Sequence, residues 1–326
     1  MQPEALSQLS GTRSIEPFGA RTPMIVPSFS SRGFPAVQGL FHALRLDLYG
    51  SCLLSAFDLA RGTIQTDLLK AADLILLDSG LYEVRSDCDD ELHGSPPASG
   101  TWSRSEFRSW LTGLPSSVDA VVVSYDQYGP LAEQLSAAAG DFSCCQRAAG
   151  DFLMKPEASG QYLSPVLPDS MDLSALAILG VTEKELGSSP QQRCANLMRL
   201  RLALRASGRD LPIHVFGAIT PRAVLAYFLC GADIFDGLNW LRYDFSGDFI
   251  RPLAELPEDP AEWGQTVADR LLWTWQRNLR ALQRLQASLR AFAATRDLAA
   301  LCRALPWAES VLRGVDEAWR TLEEVP

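Results

Sequence analysis

Residues 213–237 read IHVFGAITPRAVLAYFLCGADIFDG, in which two short apolar runs flank a longer segment with helical spacing. Ile213–Phe216 and the pair Ile234 and Phe235 have the length and bounding residues of buried strands. Pro221 opens the segment between them, and proline is well accepted in the first turn of a helix. A strand, a helix and a second strand in this order predict a right-handed crossover between two parallel strands.

The same alternation of apolar runs and helical segments recurs along most of the chain. The eight candidate strands are Met24–Val26, Cys52–Ala56, Leu74–Leu77, Ala120–Val123, Leu163–Val166, Leu176–Leu179, Ile213–Phe216, and Ile234 with Phe235. Eight such units predict an α/β fold of the (β/α)8 TIM-barrel type. An open doubly wound sheet is the alternative, but the G-x-G-x-x-G turn of dinucleotide-binding sheets is missing from the sequence.

The pattern changes after Pro257. Apolar residues recur every three or four positions from Val267 to Phe292, which predicts a long amphipathic helix. A shorter helical segment follows from Leu298 towards Trp319. We therefore expect a catalytic barrel domain over residues 1–257 and a helical C-terminal extension over residues 258–326.

The composition is that of a folded globular protein. Among 326 residues, 47% are hydrophobic and 21% are charged, which excludes a disordered or fibrous chain. The net charge of −10 argues against indiscriminate binding to polyanions, although a local basic groove is compatible with it. The chain has no apolar run of about 18 residues and no signal peptide, so we expect a cytoplasmic protein without membrane association. Its seven cysteines form no C-x-x-C pair, and we expect neither a metal nor a cofactor.

Asp78 and Asp236 directly follow predicted strands, and Asp126 follows a third predicted strand after Ser124 and Tyr125. The carboxyl ends of all strands in a parallel barrel gather at one mouth, so these side chains are expected to meet there. Each aspartate alone could cap the next helix, but three together, with glycine beside two of them, favour a functional cluster. Neighbouring carboxylates push their pKa values apart, which suits nucleophilic and acid–base roles in glycosyl transfer.

Several sequence blocks carry a resemblance to a known family. The blocks are TPMIVP at 22–27, LDSG at 77–80, SYD at 124–126, LGVTE at 179–183, PIHVFGAITP at 212–221 and ADIFD at 232–236. Their content and order resemble tRNA-guanine transglycosylases of the archaeosine and queuine type. The continuation GLNWLRY at 237–243 is nearer the archaeosine branch. The resemblance implies a TIM-barrel pentosyltransferase that replaces a guanine with a 7-deazaguanine in a nucleic acid.

The resemblance also implies a role for each matching residue. Asp236 would attack the anomeric carbon of a guanosine and form a covalent aspartyl-sugar intermediate. Asp78 would act as general base, and it is the alternative nucleophile. Asp126 would accept hydrogen bonds from the base. The other residues expected to bind substrate are Ser79, Gly80, Tyr82, Gly217 and Ala218.

The sequence departs from the family pattern at four places, and one of them is the missing T-R pair that bacterial members carry after the nucleophile. The C-x-C-x-x-C zinc motif near the C-terminus is missing, and Leu81, Tyr82 and Glu83 replace the second glycine and the Phe-Gln pair after D-S-G. Pro165 to Pro168 occupy the expected place of the V-Q-G turn. Loss of the zinc element, which docks tRNA in the family, slightly favours DNA over tRNA and points to the family branch that inserts 7-deazaguanine into DNA.

The expected partners are a nucleic acid, either DNA or tRNA, and a 7-deazaguanine base; a protein partner or a homodimer stays open. Arginines of the C-terminal segment either line a phosphate track or form a solvated face. They are Arg270, Arg277, Arg280, Arg284 and Arg290. Two other functions stay open: a non-catalytic scaffold or recognition subunit of the same family, and a hydrolase of a free 7-deazaguanine nucleoside or nucleotide.

Overall fold

A closed barrel of eight parallel strands lies at the centre of the computed structural model, which describes residues 9–48, 50–70, 72–85, 96–115, 117–145, 148–167, 173–245, 250–254 and 260–323. The barrel strands are β1 (Met24–Phe29), β2 (Ser51–Ser55), β3 (Leu74–Asp78), β4 (Ala120–Val123), β5 (Ala148–Met154), β6 (Ile178–Thr182), β7 (Ile213–Phe216) and β8 (Ile234–Gly237). Each strand pairs with the next along the chain, and β8 pairs with β1. The predicted TIM barrel is confirmed.

Seven of the eight predicted strands correspond to strands of the barrel, and the eighth is wrong. Residues 163–166 form no strand, and β5 takes that place in the barrel at Ala148–Met154. Gly150 and Asp151 interrupt the apolar run of β5 and conceal it in the sequence. Both are used in packing: a Cβ on Gly150 would lie 2.6 Å from the Phe142 ring, and Asp151 pairs with His214 inside the barrel.

The strands are buried on both faces, as expected for a parallel barrel. One buried cluster fills the barrel interior and includes Met24, Val26 and Ile234. A larger cluster lies between the outer strand faces and the surrounding helices. Near the carboxyl ends of the strands the inward positions become polar, so the apolar interior ends there and a site can open.

The helices surround the barrel. They are α1 (Val37–Leu44), α2 (Ala56–Ala60), α3 (Leu81–Val84), α4 (Arg104–Thr112), α5 (Leu131–Phe142), α6 (Pro190–Ala206), α7 (Pro221–Leu229), α8 (Asn239–Arg242), α9 (Val267–Thr295), α10 (Leu298–Ala304) and α11 (Ala308–Glu323). Particular residues determine where several of these helices begin. Ser103 and Glu106 form a reciprocal capping box at α4, and Pro190 and Pro221 open α6 and α7.

Short elements complete the fold. The 3-10 turns are Thr66–Lys70, Glu183–Leu186 and Pro260–Glu262, and two short antiparallel pairs join Ser14–Ile15 to Ala20–Arg21 and Tyr243–Asp244 to Arg251–Pro252. No helix within the described ranges combines the length and apolar character needed to cross a membrane.

The C-terminal helices pack on the barrel. Helix α9 buries Leu282, Leu285 and Leu289 against the outer core, and the side-chain oxygen of Gln286 accepts a 2.6 Å hydrogen bond from the backbone N–H of Ile25 in β1. Helix α11 packs on α6 and α7. The expected helical extension is therefore present, while the expected boundary between residues 257 and 258 lies outside the described residues.

A buried ion-pair network closes the amino-terminal end of the barrel. Asp233, directly before β8, binds Arg13 of the N-terminal segment at 2.7 Å and also Arg201 of α6. Arg201 donates further hydrogen bonds to the carbonyl oxygens of Gly231 and Leu211 at 2.9 and 2.8 Å. Because every charge in this network has partners, the arrangement ties three distant chain segments together without an isolated buried ion.

Candidate active site

A cavity of about 520 Å³ opens at the carboxyl ends of the strands. Small-molecule sites commonly measure about 300–1,000 Å³, so the cavity can hold a ligand of nucleoside size. Each strand or the loop after it contributes to the wall. In chain order, these contributions include Ser28, Ser55, Asp78, Asp126, Lys155, Thr182, Gly217 and Asp236.

Five of the eight residues expected at the site line this cavity. They are Asp78, Tyr82, Asp126, Gly217 and Asp236. The three aspartates come from the end of β3, from the loop after β4 and from β8. They meet around one hollow, as their positions after parallel strands predict.

Ser79, Gly80 and Ala218 do not line the cavity, contrary to expectation. Ser79 and Ala218 are buried, and the carbonyl oxygen of Ser79 accepts a 2.7 Å hydrogen bond from the indole N–H of Trp102. Gly80 has a φ of +85° and packs so closely that a Cβ would lie 2.5 Å from the backbone nitrogen of Phe57. Ser79 and Gly80 lie in the turn after β3, and Ala218 lies in the turn after β7. Their neighbours Asp78 and Gly217 line the cavity instead.

Asp236 is held by donors on both carboxylate oxygens. The Ser28 hydroxyl donates to Oδ2 at 2.8 Å, and the backbone N–H of Gly217 donates to Oδ1 at 3.0 Å. Ser28 Oγ in turn accepts a 3.0 Å hydrogen bond from the N–H of Gly237. These donors fix the orientation of the Asp236 carboxylate. Gly217 has a φ of +85°, so glycine suits the turn that presents its N–H.

A buried histidine lies beneath Asp236. His214 Nε2 is 3.4 Å from Asp236 Oδ1, and Nδ1 is 2.7 Å from Asp151 Oδ2. Burial alone would lower the pKa of His214, but the two carboxylates raise it to about 9. The imidazolium therefore places a positive charge directly behind Asp236. The sequence signal for this pair is a polar residue within each of two otherwise apolar strands, and sequence reasoning missed it.

Asp78 has the environment of an acid–base group. Burial raises the pKa of its carboxyl to about 7, and the negative charges of Asp126 and Asp236 add to the effect. The backbone N–H of Gly80 donates to Asp78 Oδ2 at 3.0 Å and acts in the opposite direction. A carboxyl with a pKa close to neutrality can both give and take a proton.

Glu83 is a second carboxyl with an unusual environment. The Ser30 and Ser55 hydroxyls donate to its two oxygens at 2.6 and 2.8 Å. Burial raises the pKa of Glu83 to about 8, and the charges of Asp58 and Asp78 contribute. Glu83 lies in α3 and is 1% exposed.

Asp126, in the loop after β4, lies close to two cationic side chains. Its Oδ2 is 3.8 Å from Arg85 Nη1 and 3.9 Å from Lys155 Nζ. Lys155 also pairs with Glu185 Oε1 at 2.9 Å and donates to the Thr182 hydroxyl at 3.2 Å. The charges on this wall are therefore mixed.

Sequence reasoning missed Lys155 because it missed β5, whose last residue precedes it. The turn at 165–168, expected as the counterpart of the V-Q-G turn, does not come directly after a barrel strand. Residues 155–167 contain no strand, and residue 168 lies outside the described residues. Lys155 is the residue at the carboxyl end of the fifth strand. Glu185 lies in the 3-10 turn after β6, where no apolar period marks it.

Four of the five tail arginines make contacts within the protein. Arg277 pairs with Asp244 at 2.9 Å and Glu262 at 3.1 Å, and Arg280 lies 3.9 Å from Asp47. The other two donate to backbone carbonyls: Arg270 to Leu253, and Arg290 to Arg21 and Pro23. These contacts dock α9 on the barrel, which weakens the interpretation of these arginines as a phosphate track.

Comparison with known proteins adds no relative. No protein-family model matches the chain, and no curated protein matches it. Over the part of the chain that the structure describes, no group of three or more His, Cys, Asp or Glu side chains is arranged to hold a metal ion.

Proposed function

We propose that this protein is a base-exchange transglycosylase that replaces guanine with a 7-deazaguanine in a nucleic acid. The observation that carries the proposal is the meeting of Asp78, Asp126 and Asp236 around one cavity at the barrel mouth. Their three environments differ, and glycosyl exchange needs three different groups: a nucleophile, an acid–base group and a base-binding acceptor.

Asp236 is the proposed nucleophile. Ser28 and Gly217 orient its carboxylate from two sides, and the cationic His214 stabilises its negative charge. In the first step an Asp236 oxygen forms a bond to the anomeric carbon C1′ of the guanosine, and the bond from C1′ to guanine N9 breaks with its electron pair leaving on the base. The sugar is then held as an ester of Asp236.

Asp78 is the proposed acid–base group. In its neutral form it gives a proton to the departing guanine, and the resulting carboxylate takes the N9 proton of the incoming 7-deazaguanine. N9 of that base then forms a bond to C1′ while the Asp236 ester breaks and the carboxylate is restored. A pKa of about 7 supports both directions of transfer at neutral pH. Two displacements on C1′ retain its configuration.

The proposed substrate is a guanosine in DNA or tRNA, with DNA slightly favoured. A guanine in a duplex must first be rotated out of its stack, which costs about a few kcal/mol, before it can enter the cavity. Asp126, between Arg85 and Lys155, accepts hydrogen bonds from the base. A homodimer or a protein partner, a cytoplasmic location and action without a cofactor stay predictions.

A hydrolase of a free 7-deazaguanine nucleoside or nucleotide is the second candidate. Two observations favour it: the cavity of about 520 Å³ is large enough to enclose a nucleoside, and four of the five tail arginines that would guide a polymer make internal contacts. In that reaction water replaces the incoming base at the Asp236 ester.

The test measures release of labelled base from single-stranded DNA, duplex DNA, tRNA, free guanosine and free 7-deazaguanosine, each with and without added 7-deazaguanine. We expect release from a polymer that depends on the incoming base, no release by Asp236→Asn, and full release by a control at the exposed Asp73, Asp73→Asn. Release from the free nucleoside without added base would favour the hydrolase. No release from any substrate, with a partner protein still bound, would favour the scaffold.

A further inference from the structure

The wall formed by β5 and β6 contains a buried acceptor that the protein leaves unused. Glu185 is 6% exposed and lines the cavity, and its Oε2 has no hydrogen-bond partner among the described residues. A buried unsatisfied oxygen costs about 1–3 kcal/mol, so such atoms usually have a partner in the functional state. An N–H donor of a ligand would satisfy it.

Lys155 presents a donor beside this acceptor. The Lys155 ammonium has three N–H groups, of which one donates to Glu185 Oε1 and one to the Thr182 hydroxyl. The third is available to a ligand, because Asp126 at 3.9 Å is beyond hydrogen-bond distance. Burial would lower the pKa of Lys155, but Asp126 and Glu185 raise it, so the donor stays charged.

The Glu185 carboxylate is held in place by more than one donor. The Tyr128 hydroxyl donates to Glu185 Oε1 at 3.2 Å, and the Tyr128 ring lies 5.4 Å from Lys155 Nζ and 5.2 Å from the Arg85 guanidinium carbon. Glu185 Oε1 is therefore fixed by two donors, which directs Oε2 to a single position. The Lys155 donor thus lies 2.9 Å from a Glu185 oxygen and 3.9 Å from an Asp126 oxygen, so one edge of a planar base that carries an acceptor and two donors can contact all three side chains.

We propose that Lys155 and Glu185 are specificity-determining residues that, together with Asp126, bind the Watson–Crick edge of the guanine or 7-deazaguanine. This inference rests on the proposed function and adds the groups that select the base. The guanine edge presents one acceptor, O6, and two donor positions, N1–H and the N2 amino group. Lys155 donates to O6, while Glu185 Oε2 and Asp126 accept from N1–H and from the amino group.

Other purines match this arrangement less well. Adenine has a lone pair at N1 and one amino group, so one carboxylate would face an acceptor. Hypoxanthine keeps O6 and N1–H but lacks the 2-amino group, and one carboxylate oxygen would stay unpaired. A site built to bond a polar group discriminates strongly against the analogue without it.

The test is calorimetric titration of the intact chain with three free bases: 7-deazaguanine, 7-deazahypoxanthine and 7-deazaadenine. We expect 7-deazaguanine to bind about tenfold or more tightly than 7-deazahypoxanthine, and 7-deazaadenine to bind most weakly. Binding of a free base does not require exchange. Discrimination without exchange would therefore refute the proposed function and leave this inference intact, while exchange without discrimination would refute the inference alone.

Two variants separate the contributions of the two residues. Glu185→Gln should weaken 7-deazaguanine binding about tenfold and reduce its advantage over 7-deazahypoxanthine, because an amide N–H would face the ligand donor. Lys155→Met should weaken both ligands by a similar factor, because both carry O6. The matched controls at exposed sites, Glu157→Gln and Lys70→Met, should bind like the wild type.

Unchanged selectivity in a folded Glu185→Gln protein, or no binding of any of the three bases to the wild type, would overturn the inference. Thermal unfolding verifies that each variant is folded. If a variant does not fold, the selectivity of the wild type among the three bases decides alone.

Discussion

At the scale of single residues, the site depends on carboxyl groups whose environments differ. Asp236 is surrounded by donors and lies against a cationic histidine. Glu83 is buried and Asp78 is half-buried, and both lie near other acids, so burial and repulsion raise their pKa values. These different environments are the basis of the distinct roles proposed for Asp78 and Asp236.

Asp78 should make the stability of the protein depend on pH. Its pKa is about 7 in the folded protein against 3.8 ordinarily, so between these values the folded state holds a proton that the unfolded state lacks. The free energy of unfolding therefore falls as pH rises through this window. Because the side chain is partly open to the cavity, we expect Asp78→Asn to remove a penalty of about 2 kcal/mol near pH 8, measured by urea unfolding.

The same variant should have no such advantage near pH 4, where Asp78 is neutral in the folded protein. Asp73→Asn, at an exposed site, serves as the control and should leave the pH dependence unchanged. Loss of the Asp78 charge also lessens the repulsion on Glu83, which acts in the same direction. An equal effect of Asp78→Asn at both pH values would contradict the assigned environment.

At the scale of elements, the turn after β3 explains why a short sequence motif is informative. Asp78, Ser79 and Gly80 form a turn in which the first residue faces the cavity, the second binds Trp102 through its carbonyl, and the third packs on Phe57. The motif thus combines one residue that lines the cavity with two that hold the turn.

Gly80→Ala should be more damaging than a similar change at a glycine with free space. Gly80 and Gly62 both have positive φ, +85° and +71°, but a Cβ meets Phe57 backbone at 2.5 Å only at Gly80, while nothing lies within 4 Å at Gly62. We expect Gly62→Ala to cost about 1 kcal/mol and Gly80→Ala about 3 kcal/mol in the free energy of unfolding. Equal costs in chemical denaturation would show that the contact with Phe57 is unimportant.

The elements also explain what could be predicted from the sequence. Strands with continuous apolar runs, such as β3 and β4, are evident, and so is the acid that ends β3. Strand β5 is concealed because Gly150 accommodates the Phe142 ring and Asp151 pairs with His214. Both features depend on residues distant in the chain, which no local pattern reveals. Missing β5 also meant missing Lys155.

At the scale of the whole molecule, the two ends of the barrel are built differently. The amino-terminal end is closed by Arg13, Arg201 and Asp233, whose charges are paired. The carboxyl-terminal end is open and contains acids that are only partly compensated. The charge pairs that stabilise the barrel therefore lie at one end and the candidate site lies at the other, which is the usual division in parallel barrels.

Arg201→Met should destabilise the whole barrel. It would leave Asp233 with one cation and remove the hydrogen bonds to the Gly231 and Leu211 carbonyls. Breaking a buried ion pair in this way costs about 3–5 kcal/mol, measurable as a lower urea midpoint. Arg199→Met on the same helix, where the side chain is half-buried and bonds Asn196, should cost less than about 1 kcal/mol. Equal losses for the two variants would contradict the role of the network.

The most direct measurement is mass spectrometry of the protein after reaction with a guanine-containing nucleic acid in the absence of incoming base. Denaturant stops the reaction, nuclease trims the nucleic acid, and the protein is digested to peptides. We predict a sugar-linked mass increase on the peptide that contains Asp236, and no increase in Asp236→Asn. An adduct on Asp78, or guanine release by the Asp236→Asn protein, would contradict the assignment of Asp236 as the nucleophile.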